Sequence, residues 1–418
     1  MCRNLFEADR YSSSPDQAET GKRSADAEAR RRPRRLGLPS LGGLAIASGG
    51  MLLRWGLAAR RASRLACRRK NIFGPKSWNP ISPGSIVFLQ PQRTFRAVLC
   101  TELKKPLVVR DVPSALLQSH EVRVHVCSCG VNFADILACQ GLYQHHPPLP
   151  FIPGMEYSGD VVETGKAVTN IKEGDCVIGV TNGKALAEEC IADSKLLWKI
   201  PQGVPYEEAA ALPVSYGTAI LALKHRAQTQ PGETVLVTAA AGATGLAVVD
   251  VAANVLKAKV IAAAGSDSKC RLAIQKGAVE SVNYSEASLK EEVKKLTANK
   301  GVDVVIDTVG GDIFKQALHS LAFEGRIVVV GFAGGTIPSI PANILLLKNI
   351  SALGIFWGRY RDEKFPVFSS TISSALSYYQ EGQIQPQIGK VFKLEEVNEA
   401  FAHVTQRKST GKIVISTN

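Results

Sequence analysis

The order of apolar runs predicts an α/β protein in which a small β-barrel is followed by a doubly wound parallel sheet, the chain returning to the barrel at its end. Three observations predict it. From Phe95 onward short β-like runs such as RAVLCTEL, PLVVRDV and EVRVHVCSCGVN recur, about every 8–15 residues with turn residues between them. After Pro201 the pattern changes to apolar strands alternating with helical stretches, among them ETVLVTAAAGATGLAVVDVAANVL, AKVIAAAG and DVVIDTVG. That alternation is a repeated βαβ unit. The last segment, GKIVIS, is again strand-like and resembles the first block.

Within the first block SGDVVETG, GDCVIGV and AEECIADSKLLWKI supply further barrel strands. VPYEEAAALPVSYGTAILALKH is helical in composition and leads into the parallel sheet, whose later units are KCRLAIQKGA, FKQALHSLAFEG and GRIVVVGF. The divisions expected are a disordered extension at 1–50, a leader-like segment and linker at 51–94, the barrel at 95–213, the parallel sheet at 214–349, and a tail at 350–418 that completes the barrel.

Charge sharpens this division. The 418 residues carry 50 Lys and Arg against 37 Asp and Glu, a formal +13. Residues 1–70 hold 16 basic and 6 acidic residues, whereas residues 97–418 hold 31 of each. The body is neutral, so nucleic acid is not expected as a partner. No run of apolar residues is long enough for an integral membrane segment. Nine Cys without a closely spaced framework read as reduced thiols. From Met51 the run MLLRWGLAARRASRLACRRK interleaves arginines with Leu, Trp and Ala and contains no acid, the pattern of a mitochondrial presequence. A matrix location is expected if translation or processing starts near Met51, and a cytoplasmic one otherwise.

The chemistry starts at a Gly-rich turn. Thr234–Thr238 (TVLVT) is followed by Ala239, Ala240, Ala241, Gly242, Ala243, Thr244 and Gly245, and then by an apolar helix. Small residues at AxxGxxG spacing between a strand and a helix let backbone N–H groups and the positive helix end approach a pyrophosphate. The next strand ends at Gly265 and Ser266, without the carboxylate that a free ribose 2′-hydroxyl wants, and Lys269 and Arg271 follow. Cations there suit a 2′-phosphate, so NADPH is the expected cofactor, with Asp267 as the dissenting residue.

GVNFADIL (130–137), PPLPFIPGMEYSGDVVETG (147–165), AAALPVSYGTA (209–219), AAAGATG, IDTVGG (306–311), GRIVVVGFAGG and IPANILLLKN (340–349) together resemble the medium-chain dehydrogenase/reductase superfamily, in its zeta-crystallin-like quinone oxidoreductase branch. The resemblance spans nearly all of residues 95–418. It implies a GroES-like catalytic domain, a Rossmann cofactor domain, and a homodimer joined through cofactor-domain edge strands. It also implies that Asn132 and Asp135 line the nicotinamide-proximal pocket, that Gly265, Lys269 and Tyr284 bind the adenosine-phosphate side, and that Asp307, Thr308 and Val309 with Gly331, Phe332 and Ala333 border the nicotinamide. Lys412 is expected to close the cofactor groove.

Where zinc-dependent members carry a Cys and a His, this chain has Asn132 and Met155, and ALPVSYG offers no third ligand. Thr181–Ala187 runs straight into the next strand, without the lobe that would hold a structural zinc, so no metal is expected. What remains is hydride delivery to an acceptor that is already electrophilic, a quinone or an α,β-unsaturated carbonyl. Relatives of the pattern NxxDxYxRxG have Tyr and Arg where Leu137 and Cys139 stand here. Tyr143 matches a proton-donating Tyr of related enoyl-thioester reductases, and a packing role for it stays equally open. Two alternatives remain. One is a 2-enoyl thioester reductase with Arg359, Arg361 and Lys364 at a basic entrance. The other is a cofactor-binding protein with little catalysis.

Overall fold

The computed structural model describes residues 93–417. The extension at 1–50 and the leader-like segment up to residue 92 lie outside the described residues.

The first half opens with β1 (Thr94–Leu99) and β2 (Val108–Pro113), an antiparallel pair. Then come β3 (Glu121–Val131), α1 (Phe133–Cys139), β4 (Glu156–Thr164), β5 (Cys176–Val180), β6 (Glu189–Asp193) and β7 (Leu197–Lys199). Short helices α2 (Tyr206–Ala210) and α3 (Pro213–Ile220) carry the chain across. Pro213 takes a first-turn position in α3, where its missing N–H costs nothing.

The parallel unit alternates β8 (Thr234–Thr238), α4 (Ala243–Asp250), β9 (Lys259–Ala264), α5 (Asp267–Gln275), β10 (Glu280–Asn283), α6 (Leu289–Leu296), β11 (Val302–Asp307), α7 (Gly311–His319), β12 (Leu321–Val329), α8 (Ala342–Lys348) and β13 (Ser351–Gly354). The sheet order is β10-β9-β8-β11-β12-β13, with every pairing parallel. The order reverses between β8 and β11, and ligands of such sheets bind outside that switch point. The central strands are apolar runs because helices cover both faces. Leu236 and Phe314 on one side and Val235 and Leu246 on the other are buried, each large side chain contributing about 1.5–3 kcal/mol.

After α9 (Trp357–Glu363) and α10 (Phe365–Gln380), β14 (Ile388–Lys393), α11 (Val397–Thr405) and β15 (Lys412–Ser416) return to the first half. There the order is β14-β15-β3-β4-β5-β7, with β6 also on β3. β15 lies antiparallel to β3, with Ile413 opposite Val131. One expectation needs correction. The tail does not leave the parallel sheet at residue 350, because β13 is that sheet's sixth strand. Its sequence, SALG, has no β-branched residue to mark it, and the register with β12 rather than local propensity makes it a strand.

Candidate active site

The Gly-rich turn is built by close approach. Ala239 takes a left-handed φ of +46°, and the Gly242 N–H donates to its carbonyl at 2.9 Å. A Cβ on Gly245 would lie 2.3 Å from that same carbonyl oxygen, so α4 can pack this near the end of β8 only with glycine there. Gly242 begins α4 without a side-chain cap, and Ala243 and Thr244 form its first turn, whose N–H groups have no intrahelical partner. Beside it Ala243, Ser215, Tyr216, Gln387 and Lys412 line a small cavity. The Ser215 hydroxyl is buried there without a hydrogen-bond partner. An uncapped helix start and an orphaned hydroxyl fit a dinucleotide pyrophosphate.

At the end of β9 a second cluster forms. The Ser285 hydroxyl donates to the Gly265 carbonyl at 3.1 Å. Ser266 caps α5, accepting from the Lys269 N–H at 3.4 Å. The Lys269 ammonium reaches the Arg407 carbonyl at 2.7 Å. Burial first, and the Arg407 charge second, lower the Lys269 pKa, while Tyr284 is raised mainly by burial. Asp267 accepts from the Asn283 side chain at 2.8 Å. Arg407 was not legible locally, since it lies in the turn between α11 and β15, 138 residues from Lys269.

At the end of β11 the fully buried Asp307 faces inward. Its carboxylate accepts from the Thr238 hydroxyl at 2.7 Å and the Gly310 N–H at 2.9 Å, and burial raises its pKa. Its side chain therefore tethers the loop, while the Ala333 N–H to the Thr308 carbonyl (3.0 Å) and the Gly334 N–H to the Val309 carbonyl (2.8 Å) stitch the rim together. Gly331 and Phe332 sit in that rim, with Phe332 against Gly310.

The candidate reacting end gathers residues from three distant segments. Asn132 precedes α1, and its N–H donates to Asp135 Oδ2 at 2.8 Å, while Asp135 Oδ1 accepts from the Gly154 N–H at 3.2 Å. Burial pushes Asp135 up to about 7 against these bonds. The Asn132 amide donates to Glu156 Oε1 at 2.9 Å and accepts from the Lys412 ammonium at 2.8 Å. Lys412 and Glu156 form an ion pair in which both side chains are buried. Glu156 Oε2 also accepts from the Val214 N–H at 2.7 Å, so this carboxylate holds the start of α3 as well. A Cβ on Gly130 would meet Glu156, Lys412 and the Ala210 carbonyl, each at 2.7 Å. Sequence reasoning singled out Asn132 and Lys412 but not Glu156, whose partners lie 24, 58 and 256 residues away.

Asp135 and Tyr143 line one cavity with Phe151, Met155, Asn182 and His145, an exposed loop residue. Burial pushes Tyr143 up to about 12. The positions expected to ligate zinc in relatives hold an amide bound to a carboxylate and an ammonium, and a thioether. Among the described residues no three His, Cys, Asp or Glu side chains converge as a metal site. These donors do not fit zinc. The cations of α9 are also compensated: Arg359 pairs with Glu363 at 3.5 Å, and Arg361 with Asp362.

Fold and site define an oxidoreductase of two domains, and family models agree: residues 118–202 match the alcohol dehydrogenase GroES-like domain, and residues 243–374 match the zinc-binding dehydrogenase family. The chain belongs to the medium-chain dehydrogenase/reductase superfamily. Over 324 residues it is 69% identical to the Bos taurus quinone oxidoreductase-like protein 2, covering 78% of this chain and 93% of that protein. A Nematostella vectensis homolog of that protein is 51% identical over 331 residues, covering 78% and 90%. Among solved structures, the quinone oxidoreductase from Thermus thermophilus, described with its NADPH complex, superposes with a TM-score of 0.68 at 34% identity, covering 77% of this chain and 99% of that one. No described helix is long and apolar enough to cross a membrane.

Proposed function

We propose that this oxidoreductase passes hydride from NADPH to a quinone or another activated α,β-unsaturated carbonyl acceptor, without zinc. The observation that carries this reading is the lock on Asn132. Where a zinc-dependent relative places a ligand, an amide is held by Glu156 and Lys412 beside a cavity containing a buried acid and a phenol.

When bound, the nicotinamide supplies the hydride. The chain's residues bind and orient. The first-turn N–H groups of α4 and Ser215 receive the pyrophosphate; Ser266, Lys269, Tyr284 and Arg407 receive the 2′-phosphate. Asp135 and Tyr143 hold protons at the acceptor cavity, Asp135 near its midpoint at neutral pH. A quinone or simple enone is favoured over a 2-enoyl thioester, because two of the three cations expected at the thioester's entrance, Arg359 and Arg361, are paired with Glu363 and Asp362. The exposed Leu346 and Leu347 of α8, the helix that leads into the terminal strand β13, support a homodimer joined there.

The test is NADPH and NADH consumption across quinones, enones and enoyl thioesters with the full chain. NADPH is expected to show the lower KM, and the Lys269→Ala, Arg407→Ala double variant is expected to erode that preference by about 10- to 100-fold, the value of one or two charge-assisted hydrogen bonds. A wild-type preference for NADH overturns the cofactor assignment. Absence of turnover with every acceptor leaves the low-catalysis alternative.

A further inference from the structure

The acceptor cavity is narrow in this structure. Its centre has free space for about one water molecule, so any ring-sized acceptor has to displace something. Two contacts tie residues of its lining to the segment 356–361. The Tyr143 ring meets Phe356 edge to face, with centroids 6.3 Å apart, and the Arg361 guanidinium donates through Nη1 to Asn182 Oδ1 at 2.5 Å. Tyr143 and Asn182 line the cavity from barrel loops, whereas Phe356 and Arg361 belong to α9 and the residue that precedes it.

Both ends of the second contact are held. Arg361 is fixed by a two-pronged pair with Asp362, Nε to Oδ1 at 2.9 Å and Nη2 to Oδ2 at 3.0 Å, which aims Nη1 at Asn182. Its side chain is only 14% exposed. The turn bearing Asn182 is braced by the Thr181 hydroxyl on the Gly183 carbonyl (2.5 Å) and the Lys184 N–H on the Ile152 carbonyl (2.8 Å). α9 itself is anchored by Trp357, buried against Phe368 and donating to the Thr371 hydroxyl at 3.0 Å.

We propose that Arg361 is a specificity-determining residue: its bond to Asn182 latches the acceptor cavity and sets the largest acceptor admitted. This rests on the cavity being the acceptor site of the reading above. A small acceptor enters by displacing the Tyr143 side alone. A larger one has to break the Arg361–Asn182 bond as well, and so bears a cost the smaller one avoids.

The experiment compares kcat/KM for 9,10-phenanthrenequinone, with three fused rings, and 1,4-benzoquinone, with one, in the full chain. In Arg361→Ala the ratio of the larger to the smaller is expected to rise about tenfold, the value of one charge-assisted hydrogen bond. Asn182→Ala removes the same bond from the other side and should raise the ratio comparably, and the double variant should add nothing further. Arg359→Ala, an exposed neighbour paired with Glu363, is the control and should leave the ratio unchanged. A ratio in Arg361→Ala within twofold of wild type, or an equal rise in Arg359→Ala, overturns the latch. Hydrogen exchange gives a readout free of turnover: Arg361→Ala should speed exchange across residues 181–184 and 355–363, and unchanged exchange there also overturns it. If the wild-type chain reduces neither quinones nor enones, the functional reading falls, and exchange alone decides the latch.

Discussion

The two ends of the candidate cofactor cleft hold charge in opposite ways. At the reacting end Glu156 and Lys412 are withdrawn from water, and each charge is matched by a partner drawn from another part of the chain. At the candidate adenosine end Lys269 is half-buried and Arg407 exposed, with like charges close together, and among the described residues no carboxylate pairs with Lys269, Asp267 being turned to Asn283. A fully desolvated charge demands a built partner; a partly solvated one tolerates waiting for a ligand. The first arrangement fixes geometry before anything binds, and the second leaves attraction available, which the proposed 2′-phosphate would use.

The sharpest way to break this contrast is to remove one member of the buried pair. Glu156→Leu leaves the Lys412 ammonium buried without its carboxylate and frees the Val214 N–H at the start of α3. A loss of about 3–5 kcal/mol in urea unfolding is expected. Lys412→Met in the same chain should recover much of it, because an apolar pair needs no compensation. A single variant within about 1 kcal/mol of wild type would mean that the pair is hydrated and that the contrast is false.

Asp135 supplies a weaker test at the same end. In the unfolded chain its pKa is about 3.9, whereas burial holds it at about 7 in the fold. The native state therefore keeps a proton that the unfolded state has lost between these values. Stability from this group falls as pH rises from about 4 to 7, and the full cost, at most about 4 kcal/mol, stands above 7. Asp135→Asn should flatten that part of the profile in urea midpoints taken from pH 4 to 8, and kcat/KM should lose an inflection near pH 7. A wild-type profile that rises with pH in step with the variant's would remove Asp135 as the buried acid.

The same contrast explains what the sequence reveals. The Gly-rich turn, Gly265, Ser266 and Lys269 lie on consecutive elements from β8 to α5, where spacing along the chain is spacing in the fold, and Tyr284 follows the next strand. Asn132 and Lys412 stand out as residues of recognisable motifs, but their mutual contact depends on β15 pairing with β3, which no local pattern encodes. Glu156 looks like an ordinary strand residue, since a carboxylate's burial is a tertiary fact. Asp307 illustrates the converse: its position at a strand end suggests a ligand contact, and only the Thr238 hydroxyl and Gly310 N–H reveal that its carboxylate points inward. β13 escaped because four residues without β-branching have no signal apart from their neighbour.

The smallest effect is expected at the adenosine end. Lys269→Met deletes a cation whose one polar contact given by the structure is a carbonyl and whose charge is disfavoured by burial and by Arg407. Losing the bond and relieving the repulsion oppose each other, so urea unfolding should shift by no more than about 0.5 kcal/mol, as for surface substitutions generally. Set beside the loss expected for Glu156→Leu, this measures how far desolvation rather than charge count governs stability. A loss above about 2 kcal/mol would place Lys269 in a built network like that of Lys412, and the adenosine end would then be preformed rather than waiting for its phosphate.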